Sequence, residues 1–103
     1  MPPPPVQATV RHILLPDEAA CAAVKLQLEE DPGQFGELAQ RHSTCPSGQS
    51  GGALGTFGRG AMVPAFDAAV FDEAEVGAVH GCVQTEFGFH VLMVDERSVG
   101  AGT

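Results

Sequence analysis

An alternating pattern near the start of the chain predicts a β-strand. Within residues 8–15, Val10, His12 and Leu14 share one face, and the residues between them share the other. Pro16-Asp17-Glu18 then predicts the start of a helix, because acidic side chains are favoured at the positive end of a helix dipole. The first strand should therefore lead directly into a helix.

Two amphipathic helices are predicted between residues 18 and 42. Cys21, Val24 and Leu28 recur at helical spacing, and the Asp31-Pro32-Gly33 segment ends that run. A second run at the same spacing follows, formed by Phe35, Leu38, Ala39 and His42. Each run gives its helix one apolar stripe, which should pack on a sheet.

The second half of the chain predicts a loop, a short helix and a β-hairpin. Residues 43–52 are rich in Ser, Gly and Pro and form the loop, and residues 54–57 fit a short strand. Pro64 suits the first turn of a short helix. Residues 78–85 and 89–96 predict two strands with a tight connection, which should pair antiparallel. The order β-α-α-β-α-β-β predicts an α+β domain, an antiparallel sheet with helices packed on it.

The length of the chain fits one domain. It has 103 residues, of which 44% are hydrophobic, enough for a single core. Residues 1–6, Met followed by four prolines and Val, predict a flexible extended prefix, and residues 98–103 predict a flexible tail. The folded domain is therefore expected over residues 7–97.

The charge of the chain excludes several classes of partner. Formal net charge is −8, which argues against binding to nucleic acid or to an anionic membrane, since both need a cationic surface. No stretch approaches the roughly 20 apolar residues that span a bilayer. The prolines at residues 2–5 do not resemble the cationic start and apolar run of a signal peptide.

The cysteine pattern indicates free thiols. Cys21, Cys45 and Cys82 are an odd number at wide spacing, with no Cys-x-x-Cys pair, so no disulfide framework is expected. No His or Cys pair has the spacing of zinc ligands, and no metal is expected. Free thiols and the lack of a signal-peptide pattern predict a cytoplasmic location.

Five short segments in fixed order resemble one known family. They are residues 12–15 (HILL), 35–39 (FGELA), 43–48 (STCPSG), 60–67 (GAMVPAFD) and 85–90 (TEFGFH), with GGALG at 51–55 between them. Over residues 8–97 the chain resembles the parvulin family of peptidyl-prolyl cis/trans isomerases, or rotamases. It is most similar to the small stand-alone bacterial members, which consist of the catalytic domain only. The resemblance implies four antiparallel strands surrounded by helices.

The resemblance also implies a site. An apolar pocket for proline would be formed by Leu54, Met62 and Phe66, with Phe87 at its rim. Catalytic groups would surround this pocket on the loop and on the central strands, namely His12, Cys45, Thr85 and His90.

These residue types suit rotation about a prolyl bond without a cofactor. The barrier of about 18–20 kcal/mol comes from amide resonance, so a catalyst must favour the twisted amide over the planar one. We expect His12 and His90 to be neutral, to share a proton beneath Cys45 and to set its orientation. A cysteine peptidase would also need a Cys and a His, but the short chain and the sequence around Cys45 do not fit one.

The segment after the first strand predicts the substrate. Family members that require phosphoserine or phosphothreonine carry a basic cluster there, whereas residues 15–20 contain no cation and two acids. We therefore expect a monomer that acts on unphosphorylated proline-containing peptides and unfolded proteins and assists their folding, with an apolar residue preferred before proline. Two alternatives stay open: a catalytically weak peptide-binding or chaperone module of the same fold, and a prefix that recruits partner domains.

Overall fold

The computed structural model describes residues 7–98 of the chain. Its elements are β1 Gln7–Leu15, α1 Glu18–Glu30, α2 Phe35–His42, β2 Ala53–Gly58, α3 Pro64–Ala68, β3 Val79–Thr85 and β4 Gly88–Ser98. Short 3-10 turns occupy Pro32–Gln34 and Pro46–Ser50, and a π-helical turn, Ala69–Glu73, continues α3. Among the described residues, no helix is both long and apolar enough to cross a membrane.

The four strands form one antiparallel sheet in the order β2-β1-β4-β3. This architecture confirms the predicted α+β class. Strands β1 and β4 are central, and their register places His12 opposite Leu92 and Leu14 opposite His90. Strand β4 runs to Ser98, one residue beyond the predicted boundary. The predicted prefix, residues 1–6, and residues 99–103 of the predicted tail lie outside the described residues.

Helices cover both faces of the sheet, so the central strands are buried on both sides. Helices α1 and α2 pack on the face that carries Ile13, Leu15 and Val91. Helix α3 and its π-helical turn pack on the opposite face, against Val10 and Leu92. The alternation predicted for residues 8–15 is confirmed, and it sends His12 to the α3 side.

Helix α1 begins where its sequence predicts. Asp17 is the N-cap, and its carboxylate accepts a hydrogen bond of 2.8 Å from the backbone N–H of Ala20. The apolar stripe of Cys21, Val24 and Leu28 is buried against the sheet.

Two of the three cysteines are paired, so the expectation of three free thiols is wrong. A disulfide joins Cys21 of α1 to Cys82 of β3, with the two Cα atoms 6.2 Å apart. The partners are 61 positions apart in sequence, and they meet because α1 packs across the sheet onto edge strand β3. Spacing alone cannot show such a pairing. Cys45 is the free cysteine.

Candidate active site

An apolar cavity of about 360 Å3 lies between α3, the central strands and the loop after α2. It is lined by seven of the eight residues that the sequence singled out, namely His12, Cys45, Leu54, Met62, Phe66, Phe87 and His90. The eighth, Thr85, lies behind His90 and bonds to its ring. The wall also includes residues that sequence reasoning did not select: Leu14, Thr44, Pro46 and Val63.

Helix α3 presents Phe66 to the imidazole pair. Pro64 occupies the first turn of this helix, where its missing N–H costs no hydrogen bond. The Phe66 ring is only 3% exposed and meets the rings of His12 and His90 edge-on, at centroid distances of 5.6 and 5.1 Å. One side of the cavity is therefore a fixed aromatic wall.

The segment that carries Met62 is held by a cluster of charges. The N–H of Gly60 donates to the Asp67 carboxylate at 2.7 Å. The Arg59 guanidinium pairs with Asp72 and lies 3.6 Å from Asp67. The hydrogen bond from Arg59 lowers the pKa of the Asp72 carboxyl below its usual range. These contacts connect the turn before Met62 to α3 and its continuation, so they fix the mouth of the pocket.

The loop that carries Cys45 runs beside the end of β1 that β2 does not reach. Leu14 donates its N–H to the Ser43 hydroxyl at 3.0 Å and accepts the N–H of Thr44 at 2.8 Å. Further along, the His12 N–H donates to the carbonyl of Gly52 at 2.9 Å. Gly52 has φ +86°, and a Cβ there would overlap the carbonyl oxygen of His12, so glycine is required.

A continuous chain of hydrogen bonds links the free thiol to the histidines. The Ser47 hydroxyl lies 3.2 Å from the sulfur of Cys45 and 3.0 Å from Nε2 of His12. Nδ1 of His12 lies 3.0 Å from Nδ1 of His90. Nε2 of His90 then lies 2.7 Å from Oγ1 of Thr85. The two imidazoles are only 5% exposed, so the centre of this chain is shielded from water, while Cys45, Ser47 and Thr85 at its ends are half-buried.

The donors and acceptors in this chain have a consistent order. Ser47 donates to the sulfur and therefore accepts the Nε2–H of His12. Nδ1 of His12 then accepts from Nδ1–H of His90, whose Nε2 accepts the hydroxyl proton of Thr85. Thr85 accepts in turn from the N–H of Phe87 at 3.2 Å. With this order both imidazoles are neutral and no ring nitrogen lacks a partner.

Burial favours that neutral state. It lowers the pKa of His12 to about 4, and repulsion from His90 acts in the same direction. Burial also lowers the pKa of His90. At neutral pH the pair therefore carries no charge, and the wall of the pocket beneath the thiol stays apolar.

Ser47 is the functional residue that sequence reasoning missed. It lies within the segment at residues 43–48 that carries the family resemblance, two positions after Cys45. Its role depends on the 3-10 turn at Pro46–Ser50, which turns the hydroxyl back toward β1. The motif at residues 43–48 therefore gives a sequence signal for Ser47, whereas its contact with His12 is visible only in the structure.

Among the described residues that line the apolar cavity, none is a Lys or Arg. The five Lys and Arg side chains of the chain bind carboxylates or backbone carbonyls elsewhere, in Arg11–Asp95, Lys25–Glu29, Arg41–Glu37, Arg59 with Asp67 and Asp72, and Arg97 with two carbonyls. Within residues 7–98, no three His, Cys, Asp or Glu side chains are arranged to hold a metal ion. The site offers apolar contact and neutral hydrogen-bonding groups.

Comparisons with known proteins agree with this geometry. The model of the rotamase family, the PPIC-type PPIase domain, matches residues 16–96. Foldase protein PrsA of Oceanobacillus iheyensis is 42% identical over 96 residues, which cover 87% of this chain and 31% of PrsA. Peptidyl-prolyl cis-trans isomerase Pin1 of Digitalis lanata is 41% identical over 70 residues, 68% of this chain and 58% of Pin1.

A solved chain from a study of PEB4 and Cj1289, two SurA-like chaperones of Campylobacter jejuni, superposes with a TM-score of 0.87. It is 30% identical, and the match covers 96% of this chain and 42% of that one. In the sequence comparison, the chain spans about a third of the length of PrsA from Oceanobacillus iheyensis. The matched model and the shared fold show that the chain belongs to the PPIC-type peptidyl-prolyl isomerase family, the parvulins.

Proposed function

We propose that this domain catalyses cis/trans isomerisation of prolyl bonds in unphosphorylated peptides and unfolded chains, and so assists protein folding. The observation that carries the proposal is the apolar cavity bordered by a free thiol and a neutral histidine pair. Its walls are Leu54, Met62 and Phe66, which leave room for a pyrrolidine ring. Met62 suits this wall because its flexible thioether adapts to an irregular ring shape.

The apolar wall favours the transition state for rotation. A planar prolyl amide is strongly polarised by resonance, and a twisted amide has lost that resonance. A dry site therefore destabilises the planar forms more than the twisted one, which is differential binding of the transition state. No proton has to leave the substrate, so neutral imidazoles suit the chemistry.

Cys45 acts in this proposal as a polar neighbour of the rotating carbonyl. An attacking thiol needs a base in contact with it, but Ser47 lies between the sulfur and His12. Exchange of Cys45 for Ser should therefore lower the isomerisation rate without abolishing it. Complete loss of activity in a folded Cys45→Ser protein would indicate a covalent step.

The rim of the pocket suggests which residue precedes proline. Phe87 is 64% exposed, and together with Leu14 and Pro46 it gives the rim an apolar surface. The segment that joins β1 to α1 carries Asp17 and Glu18 and no cation. We propose that an apolar residue before proline is preferred and an acidic one disfavoured.

Exchange spectroscopy by NMR tests the function directly. The protein should accelerate isomerisation of an Ala-Pro peptide, and of a Glu-Pro peptide less. Equal acceleration of both peptides would contradict the proposed discrimination against an acidic residue before proline. No acceleration of either would contradict the proposed activity.

A peptide-binding or chaperone module of the same fold is the second candidate. The structural similarity to a chain from a study of SurA-like chaperones favours it. Chemical-shift mapping with a prolyl peptide separates the two functions. Binding at the pocket without acceleration supports the module, and binding with acceleration supports the enzyme.

We further propose that a monomer is sufficient, because one chain supplies the whole cavity and the hydrogen-bond chain. A cytoplasmic location also stays a prediction. The Cys21–Cys82 disulfide weighs against this location, because disulfides are typical of oxidising compartments. Counting thiols in protein that is alkylated during cell lysis would test it.

A further inference from the structure

A second, polar groove adjoins the apolar cavity. It has a volume of about 290 Å3 and shares Thr44, Cys45 and Pro46 with the cavity, so the two adjoin along this segment. The shared border contains the free cysteine. A chain whose proline enters the cavity must leave the pocket on both sides, and this groove offers one exit.

The character of the lining changes across that border. The cavity side is apolar, whereas the groove side is lined by Gln40 and Gln49, two exposed residues whose side chains end in carboxamides. Within residues 7–98, neither carboxamide has a hydrogen-bond partner, so both are available to a ligand. A carboxamide both donates and accepts, which matches the alternating N–H and C=O groups of a peptide backbone.

The floor of the groove is already ordered. Thr44 and Ser43 are bonded to Leu14 at 2.8 and 3.0 Å, and the N–H of Gly48 donates to the carbonyl of Cys45 at 2.9 Å. A preformed floor lowers the entropy that binding would otherwise cost. Pairing with backbone groups is also independent of the side chains of the ligand, which suits unfolded chains of varied sequence.

We infer that this groove, with Gln40 and Gln49, is a subsite that binds the backbone of the substrate chain beyond its proline dipeptide. The inference rests on the proposed isomerase function and adds to it a preference for longer, extended chains. The substrate class is an unfolded polypeptide segment, held by neutral hydrogen bonds at a place that a short peptide does not reach.

The test compares a minimal peptide, acetyl-Ala-Ala-Pro-Ala-amide, with versions lengthened on the amino or the carboxyl side. About four extra residues span roughly 13 Å of extended chain, enough to enter the groove. Exchange spectroscopy gives kcat/KM for each peptide. Lengthening on one side should raise kcat/KM about three- to tenfold, the gain expected from one or two neutral hydrogen bonds.

In the double variant Gln40→Ala/Gln49→Ala, kcat/KM for the extended peptide should be close to kcat/KM for the minimal peptide, so that their ratio is close to one. The matched control is Gln27→Ala, which removes an exposed carboxamide from α1, outside both cavities. It should keep the wild-type ratio. No gain from lengthening on either side, or a gain that survives in the double variant, would overturn the subsite.

Failure of the proposed function gives a different result, because neither peptide would then be accelerated. In that case the subsite is tested by binding. The side-chain amide signals of Gln40 and Gln49 should shift with the extended peptide and not with the minimal one. Unshifted signals with a bound extended peptide would refute the subsite.

Discussion

The buried imidazole pair should make the stability of this domain depend on pH. His12 and His90 are joined at 3.0 Å through their Nδ1 atoms, and both are 5% exposed. A shared hydrogen bond between two Nδ1 atoms requires that one of them has no proton. Adding a proton to this pair therefore breaks the bond or places a charge in an apolar wall.

The direction of the change in stability with pH follows from the pKa values of His12 in the folded and unfolded chains. In the unfolded chain His12 has its ordinary pKa of 6.5, and in the folded domain burial lowers the pKa to about 4. Between these values the unfolded chain binds more protons, so stability falls as pH falls. The contribution of His12 is fully present above pH 6.5 and is lost progressively between 6.5 and 4.

The size of the loss in stability follows from the same difference in pKa between the folded and unfolded chains. His12 alone should lower the free energy of unfolding by about 2 kcal/mol between about pH 8 and about pH 5, and by at most about 3 kcal/mol in total. The pKa of His90 is also lowered, so it adds to the effect in the same direction. For a domain of this size such a loss is a large part of the stability.

Urea denaturation at a series of pH values measures the effect. A His12→Gln variant loses this titrating group, so its stability should change less between pH 8 and pH 5. The control His42→Gln removes an exposed imidazole from α2 and should keep the wild-type profile. NMR titration of the imidazole carbons checks the cause separately. A His12 ring that titrates at its ordinary pKa in the folded protein would refute the reasoning.

Three further predictions concern the contacts around the site. The Cys21–Cys82 disulfide closes a long loop, so Cys82→Ser should lower the free energy of unfolding by about 4 kcal/mol; the native protein should titrate a single thiol, and three would contradict the pairing. Ser47→Ala leaves a buried imidazole N–H without its acceptor and should cost about 1–3 kcal/mol in urea melts and slow isomerisation; unchanged melts and rates would contradict its bridging role. Asp67→Ala removes the acceptor for the Gly60 N–H, frees the turn before Met62 and should raise KM about threefold or more with a smaller effect on kcat. An unchanged KM would show that the turn keeps its conformation without Asp67.

Much of the fold is predictable because its signals are local. The alternation over β1 assigns each side chain to a face, and helical spacing places Cys21, Val24 and Leu28 in the core. The Asp17 cap and Pro64 mark helix starts by their own backbone chemistry. Each of these assignments depends on neighbouring residues in the sequence and not on contacts across the sheet.

The partners of the site residues were harder to predict, since each depends on a contact between distant positions. The histidine pair is the exception, because the sequence predicts that His12 and His90 share a proton, and the β1–β4 register brings their Nδ1 atoms to 3.0 Å. The family resemblance places Thr85 among the groups around the pocket, whereas in the structure it lies behind His90 and its hydroxyl bonds to that ring. Ser47 became part of the site only through the turn that brings it to His12.

The sequence by itself determined the strand and helix pattern, the apolar residues of the pocket and the absence of a basic cluster after the first strand. Only the tertiary structure decided that Cys21 meets Cys82, that a serine bridges the thiol to the histidines, and that a polar groove adjoins the pocket. The physical reason is that propensity and periodicity act over a few neighbouring residues. Disulfides, buried hydrogen bonds and cavities arise where packing brings remote segments together.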